Sequence, residues 1–259
     1  MEYLEFILLG ILQGVTEFLP ISSSGHILIG RKLFGISDNG LLIEIILHLG
    51  TLLSILLFWY KDIIREFKVV LGGNRRYLYS IIIATIPAAI VGLLFNDFIK
   101  DTFFNINSMG YLSFNYFLLS LIIFSSKYIT GNNKETVIYK YAILIGLAQS
   151  IAILPGFSRS GLTIVMAMYL GLSFKEATKF SFLLAIPILT FASCDSIYEY
   201  FSTINSEGNF ELPLLLGFIT SFIIGYFSLA FLQNIVKNRK LWYFSIYCLI
   251  ASLILLYGI

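Results

Sequence analysis

Six apolar runs, at residues 41–60, 79–95, 108–128, 177–198, 212–236 and 241–258, constrain this chain more than any other feature. Each is close to the length of about 20 residues that crosses a bilayer core. No stretch between them is long enough for a separate soluble domain, so residues 1–259 are read as one membrane domain. The chain is 58% hydrophobic and 12% charged with mean hydropathy +0.88, against roughly 45–50% apolar content in a soluble domain. In lipid the backbone must satisfy its own hydrogen bonds, and runs of this length do so as helices. An all-α integral membrane protein is expected. The first apolar segment lacks the basic start and small-residue cleavage site of a signal peptide, so it is expected to stay in the mature chain.

Two further regions break the pattern. Residues 3–35 and 139–171 each hold an apolar segment, a Pro/Gly/Ser break (Leu19 to Gly25, Leu154 to Gly161) and a second, shorter apolar segment. Each half is short for a span, so a re-entrant hairpin is expected. Irregular backbone at membrane depth survives only against protein or a wet cavity, which makes both breaks candidate sites. The regions also match at a constant offset of 136 residues: Gly10/Gly146, Gln13/Gln149, Ser22/Ser158, Ser24/Ser160 and Gly25/Gly161 are identical pairs. This reads as an internal duplication, with repeat 1 at about residues 1–130 and repeat 2 at about 137–259, each a hairpin plus three spans. Three is odd, so the second repeat is inverted relative to the first, an arrangement that commonly puts its site at the repeat interface.

Charge placement gives the topology. With these spans, thirteen Lys and Arg fall on one side (Lys61, Arg65, Lys68, Arg75, Arg76, Lys127, Lys134, Lys140, Lys175, Lys179, Lys237, Arg239, Lys240) and three on the other (Arg31, Lys32, Lys100); Arg159 completes the 17 basic residues. The rich side is cytoplasmic by the positive-inside rule, so both termini and the mouth of hairpin 1 lie outside, and hairpin 2 enters from the cytoplasm. A net charge of +2 gives no basis for nucleic-acid binding. Cys194 and Cys248 lack metal-ligand spacing and read as packing residues.

Ionisable groups at membrane depth are costly and point to function. Arg159 stands in Gly156-Phe-Ser-Arg-Ser-Gly161 just before an apolar helix, where a guanidinium fork, hydroxyls and helix-end amides suit a phosphate. In hairpin 1, Gln13 and Glu17 share a helical face, and Pro20 turns the chain into Ser22-Ser23-Ser24-Gly25-His26. Ser23 and His26 lie three apart and can face one pocket, where a histidine would deprotonate a serine nucleophile. Glu17 can orient His26, take a proton itself or hold a divalent cation. Ser23, His26 and water all stand as candidate nucleophiles. Glu44 and His48, four apart at the start of a span, and Asp195 at the end of another, read mainly as span-end groups.

The runs Gln13-Gly-Val-Thr-Glu17-Phe-Leu-Pro-Ile-Ser-Ser-Ser-Gly-His26 and Pro155-Gly-Phe-Ser-Arg-Ser-Gly-Leu-Thr163 resemble the motifs of the undecaprenyl-pyrophosphate phosphatase family, the membrane enzymes linked to bacitracin resistance. The resemblance spans essentially the whole chain. It implies release of one phosphate from undecaprenyl pyrophosphate, recycling the lipid carrier of cell-wall synthesis in the bacterial plasma membrane, with an active site facing outward. It further implies Glu17, Ser23, His26 and Arg159 as catalytic, and Gln13, Ser22, Ser24, Gly25, Ser158, Ser160 and Thr163 as substrate contacts. A divalent cation such as Mg2+, with Glu17 as a ligand, is implied too, although Gln13 stands where many members have a second glutamate. The partners expected are the polyprenyl pyrophosphate and the membrane, with a homodimer left open and no nucleic acid. A lipid-phosphate transporter or flippase is the alternative from another class.

Overall fold

A computed structural model describes residues 2–34, 40–103, 109–129, 137, 139–203 and 212–257. It is helical throughout, with no strand among the described residues. The helices are α1 (Glu2–Thr16), α2 (Ser23–Phe34), α3 (Gly40–Phe58), α4 (Tyr60–Leu71), α5 (Arg76–Phe103), α6 (Met109–Ser125), α7 (Tyr139–Ile151), α8 (Arg159–Tyr169), α9 (Phe174–Thr203), α10 (Leu212–Lys237) and α11 (Tyr243–Tyr257).

Among the described residues, four segments are long and apolar enough to cross a bilayer: Arg76–Phe95, Met109–Tyr128, Phe174–Cys194 and Leu212–Lys237. Ile45–Phe58 with Tyr60–Leu71 makes a fifth if that pair, bent by 69°, counts as one. All six expected runs are helical, but α11 is short for a span and α3 turns at Trp59 into α4, which lies within the expected cytoplasmic loop. Alternating basic and apolar residues in Tyr60–Leu71 are the signal for this surface helix. Large side chains face outward, Leu94 at 72% exposure and Phe227 at 66%, whereas Ser54, Ser160 and Ser221 are at 0%. Burial of small and polar residues beneath a coat of exposed leucine and phenylalanine is the pattern of a protein solvated by lipid. The chain is a multi-pass membrane protein.

Lipid supplies little drive for one helix to leave it for another, so close packing and hydrogen bonds decide the pairs. Helix α1 packs on α10, and α7 on α5. A Cβ on Gly10 would sit 2.7 Å from the Gly217 carbonyl, and one on Gly146 2.5 Å from that of Ala84. Helices α3 and α10 meet through Gly225 and the hydroxyl of Ser54, which donates to Phe222 O at 2.7 Å. Helices α6 and α11 are joined by reciprocal bonds, Ser113 Oγ to Ser252 O and Ser252 Oγ to Ser113 O, both 2.8 Å. The amphipathic α4 is tied to α9 by Lys179, which bonds Glu66 at 3.2 Å and Glu176 at 3.0 Å and lies over the Tyr77 ring. Lys179 is therefore a buried bridge rather than a free loop charge.

Both interrupted regions are helical hairpins, α1–α2 and α7–α8, each capped by a serine. Ser22 Oγ accepts from Gly25 N at 3.3 Å, and Ser158 Oγ accepts from Gly161 N at 3.2 Å. These are the pairs that match at the 136-residue offset. The same short-range chemistry ends the loop and starts the second helix in each copy.

The α7–α5 contact yields a stability test. Gly146→Ala pushes a methyl against backbone and should cost about 1–3 kcal/mol, read as a lower unfolding temperature in detergent. Gly110→Ala, where a Cβ would meet open space, should leave that temperature unchanged or raise it.

Candidate active site

The two hairpin tips meet, and Glu17 is where they join. It follows the last turn of α1, its N–H still bonded to Gln13 O at 2.9 Å, before Pro20 prevents the helix from continuing. The residue is 7% exposed. Its Oε1 accepts from Arg159 Nη2, at the first position of α8, at 2.6 Å. Its Oε2 accepts from Ser23 Oγ at 2.7 Å and from Gln13 Nε2 at 3.2 Å. His48 Nε2, on α3, stands 3.8 Å from the same oxygen. Arg159 Nη1 is buried without a protein partner, so the guanidinium holds Glu17 through Nη2 while Nη1 has no acceptor within the protein.

A cavity of about 460 Å³ opens over this cluster. Its polar wall is Glu17, Ser23, Ser24, His48, Gln149 and Arg159. One carboxylate, an unpaired guanidinium nitrogen and a serine hydroxyl donating to that carboxylate form a site that can bind an anion and deprotonate a nucleophile.

A sequence profile of the bacitracin resistance protein BacA family matches residues 6–254. The chain belongs to that family. It is 38% identical over 262 residues to an undecaprenyl-diphosphatase of Bacteroides thetaiotaomicron, covering 98% of this chain and 97% of the relative. It is 37% identical over 264 residues to one of Oceanobacillus iheyensis, covering 97% and 94%. With one of Halothermothrix orenii it shares 33% over 258 residues, covering 99% and 98%.

Among the family-motif residues, the structure brings Glu17, Ser23, Ser24 and Arg159 to one cavity, with Gln13 behind Glu17. His26 does not join them. Its Nδ1 lies 2.7 Å from Ser22 O and 2.9 Å from the Tyr116 hydroxyl, and its Nε2 lies 2.5 Å from the Tyr247 hydroxyl. A carbonyl only accepts, so Nδ1 carries the hydrogen in that bond, and Nε2 of the neutral ring accepts from Tyr247. The ring stacks on Tyr247 at 5.7 Å between centroids and meets Tyr116 edge-on. The three-residue spacing from Ser23 thus turns His26 towards α6 and α11. Its geometry anchors the tip of hairpin 1.

Four other expected substrate contacts also face inward. Ser22, Ser158, Ser160 and Thr163 are buried at 3% exposure or less. Ser22 has φ 68°, a left-handed conformation that costs a non-glycine residue about 1–3 kcal/mol. It is held there because its Oγ also accepts from Gly156 N of the other hairpin, at 3.0 Å, and its carbonyl takes His26. Ser158 and Ser160 Oγ reach back to Leu19 O at 3.4 and 3.5 Å. Thr163 bonds Ser181 on α9 at 2.6 Å. Gly25 is closely packed, since a Cβ there would meet the Tyr116 hydroxyl at 2.6 Å. These residues fasten the tips to each other and to the bundle.

Sequence reasoning underrated His48 and passed over Gln149, Tyr116 and Tyr247. Gln149 was signalled by its match to Gln13, whereas the tyrosines come from remote helices without a local signal. The side chains of Glu44 and Asp195 lie outside the described residues. Cys248 is buried with its Sγ 3.5 Å from Pro20 O, which fits a packing role, and Cys194 is exposed.

The donor set does not fit a resident cation. No three His, Cys, Asp or Glu among the described residues are grouped to hold a metal, and both oxygens of Glu17 already accept from protein donors. Gln13, whose amide bonds Glu17, adds no second carboxylate.

The serines divide by partner, and denaturation in detergent can read that division. Ser22→Ala strands two backbone N–H groups and should cost about 1–3 kcal/mol. Ser23→Ala removes one exposed-side donor and should shift stability by less than half as much.

Proposed function

We infer that this chain is an undecaprenyl-diphosphatase, which hydrolyses undecaprenyl pyrophosphate to undecaprenyl phosphate and inorganic phosphate in the plasma membrane. Membership of the BacA family and the names of the relatives support the activity. The observation that carries the mechanism is the Ser23–Glu17 hydrogen bond of 2.7 Å beside the Arg159 guanidinium.

The pyrophosphate enters the cavity and its terminal phosphoryl oxygens take the free N–H groups of Arg159. Ser23 Oγ attacks the terminal phosphorus as its proton passes to Glu17 Oε2, and the anhydride P–O bond breaks. Undecaprenyl phosphate leaves as an anion of low basicity that needs no proton. Water then attacks the phosphoserine, giving one proton to Glu17 as the first returns to Ser23 Oγ; inorganic phosphate departs and Glu17 releases the remaining proton to solvent, which restores the carboxylate. Charge neutralisation and positioning carry most of the acceleration in phosphoryl transfer. His26 holds Ser22, and through it the start of α2, so that Ser23 faces Glu17. A divalent cation would arrive on the phosphates of the substrate, since Mg2+ is commonly held by one carboxylate plus phosphate oxygens, and no step above depends on it.

The arrangement of two inverted repeats with six spans and two re-entrant hairpins is part of this reading. Its support is the cross-pairing in which each hairpin packs on the second long helix of the other repeat, α1 on α10 and α7 on α5. The basic residues on one side support a cavity that opens outside the cytoplasm.

Phosphate release from undecaprenyl pyrophosphate by purified protein in detergent should fall to background in Ser23→Ala and about 10²–10³-fold in Arg159→Ala. Full activity in Arg159→Ala rules out the clamp, and phosphate trapped on His26 instead of Ser23 rules out the nucleophile. For topology, single cysteines between residues 61 and 78 should react only with reagents that enter the cytoplasm. Labelling from outside would invert the assignment.

A further inference from the structure

The mechanism uses only the polar wall of the site, yet the proposed substrate is mostly hydrocarbon. A second cavity, about 620 Å³, lies along the α5–α9 seam on its α4 side. Its wall on α5 includes Leu78, Ile82, Ile86 and Ala89, spaced three or four residues apart and so forming one stripe, with Thr85 beside it. Across from it stand Leu183, Ile186 and Pro187 of α9. Thr85, its polar member on α5, returns its hydroxyl to Ile81 O at 2.8 Å, and Pro187 has no N–H to present. The far end is bounded by Glu66 and Tyr77, where Lys179 bridges α4 to α9. From Leu78 to Ala89 the stripe rises about 16 Å.

This groove is continuous with the phosphate site. Ala89 lines both cavities, and α5 and α9 wall both, the site through Ala88, Gly92 and Leu189. Small residues keep the passage open: a Cβ added at Gly92 would meet nothing within 4 Å. By contrast, the apolar hollow beside His26, lined by Leu12, Phe231 and Tyr247 among others, shares no residue with the Glu17 cavity. Ile82 and Ile86 are each 48% exposed on the side that faces lipid, so a chain can enter the groove sideways from the bilayer.

We propose that the α5–α9 groove is the binding site for the prenyl chain of the substrate, which leaves the phosphate site past Ala89 and runs towards Glu66. This rests on the diphosphatase reading of the site. A long-chain prenyl pyrophosphate then gains contacts that a short one, ending near Ala89, does not reach.

The experiment compares undecaprenyl pyrophosphate with farnesyl pyrophosphate on the full chain in nanodiscs, scoring the ratio of kcat/KM values. Ile82→Trp and Thr85→Trp, which fill the groove away from the phosphate site, should lower the ratio of long to short substrate at least tenfold, mainly through KM for the long one. Ile219→Trp, at a 40% exposed position on α10 away from the groove, should keep the wild-type ratio. A long-chain prenyl pyrophosphate carrying a diazirine part-way along its chain, a few isoprene units from the phosphates, should crosslink within residues 78–86. An unchanged ratio in both groove variants, with crosslinks spread over the lipid-facing surface, means the groove holds ordinary bilayer chains and overturns the proposal. Loss of both substrates in equal proportion also overturns it. A wild-type chain that hydrolyses neither substrate sinks the diphosphatase reading instead.

Discussion

The Glu17–Arg159 ion pair is the constraint on which the rest of this molecule depends. Each charge alone at this depth would cost several kcal/mol in lost hydration. At 2.6 Å they neutralise each other, and they come from hairpins 142 residues apart in sequence. Neither hairpin can bury its own charge, so each needs the other docked tip to tip. The geometry also leaves the pair unsaturated, because a guanidinium has five N–H donors and Glu17 uses few of them. A stable buried pair and a waiting anion site are therefore the same object.

Much of the polar chemistry in the two motifs serves that docking. Ser22 accepts one N–H from its own helix and one from Gly156 of the other hairpin, while Ser158 and Ser160 reach Leu19 O. His26 belongs to this set, fixed by Tyr116 and Tyr247 with both ring nitrogens engaged. Ser23 differs because its hydroxyl gives its hydrogen to a carboxylate at the cavity wall. Neighbouring serines thus divide into those that bond backbone and one that bonds a carboxylate, according to the side of the α2 start on which each falls.

Lipid acts as solvent on the outside and, in the groove inference, as substrate on the inside. Helices α5 and α9 connect the two roles. Their small residues open the phosphate site sideways, and their branched residues continue as an apolar channel. Lys179 and its two glutamates hold α4 across the end of that channel, so a buried ionic bridge sets its length.

The sequence by itself determined the all-helical membrane character and the two interrupted regions with their match at a 136-residue offset, and it pointed to Glu17 and Arg159 as members of one site. Those follow from run length, from prolines and glycines that stop helices, and from the cost of charge in lipid, all of which act locally. It also put Ser23 among the candidate nucleophiles, through its three-residue spacing from His26, without choosing it over His26 or water. Only the tertiary structure decided that His26 turns away from Ser23, that His48 and Gln149 join the cavity and that α3 bends into α4. Residues three apart on a helix differ in direction by about 60°, so spacing permits both orientations. The choice was made by Tyr116 and Tyr247, on helices far along the chain, and no local pattern records where a remote helix will pack.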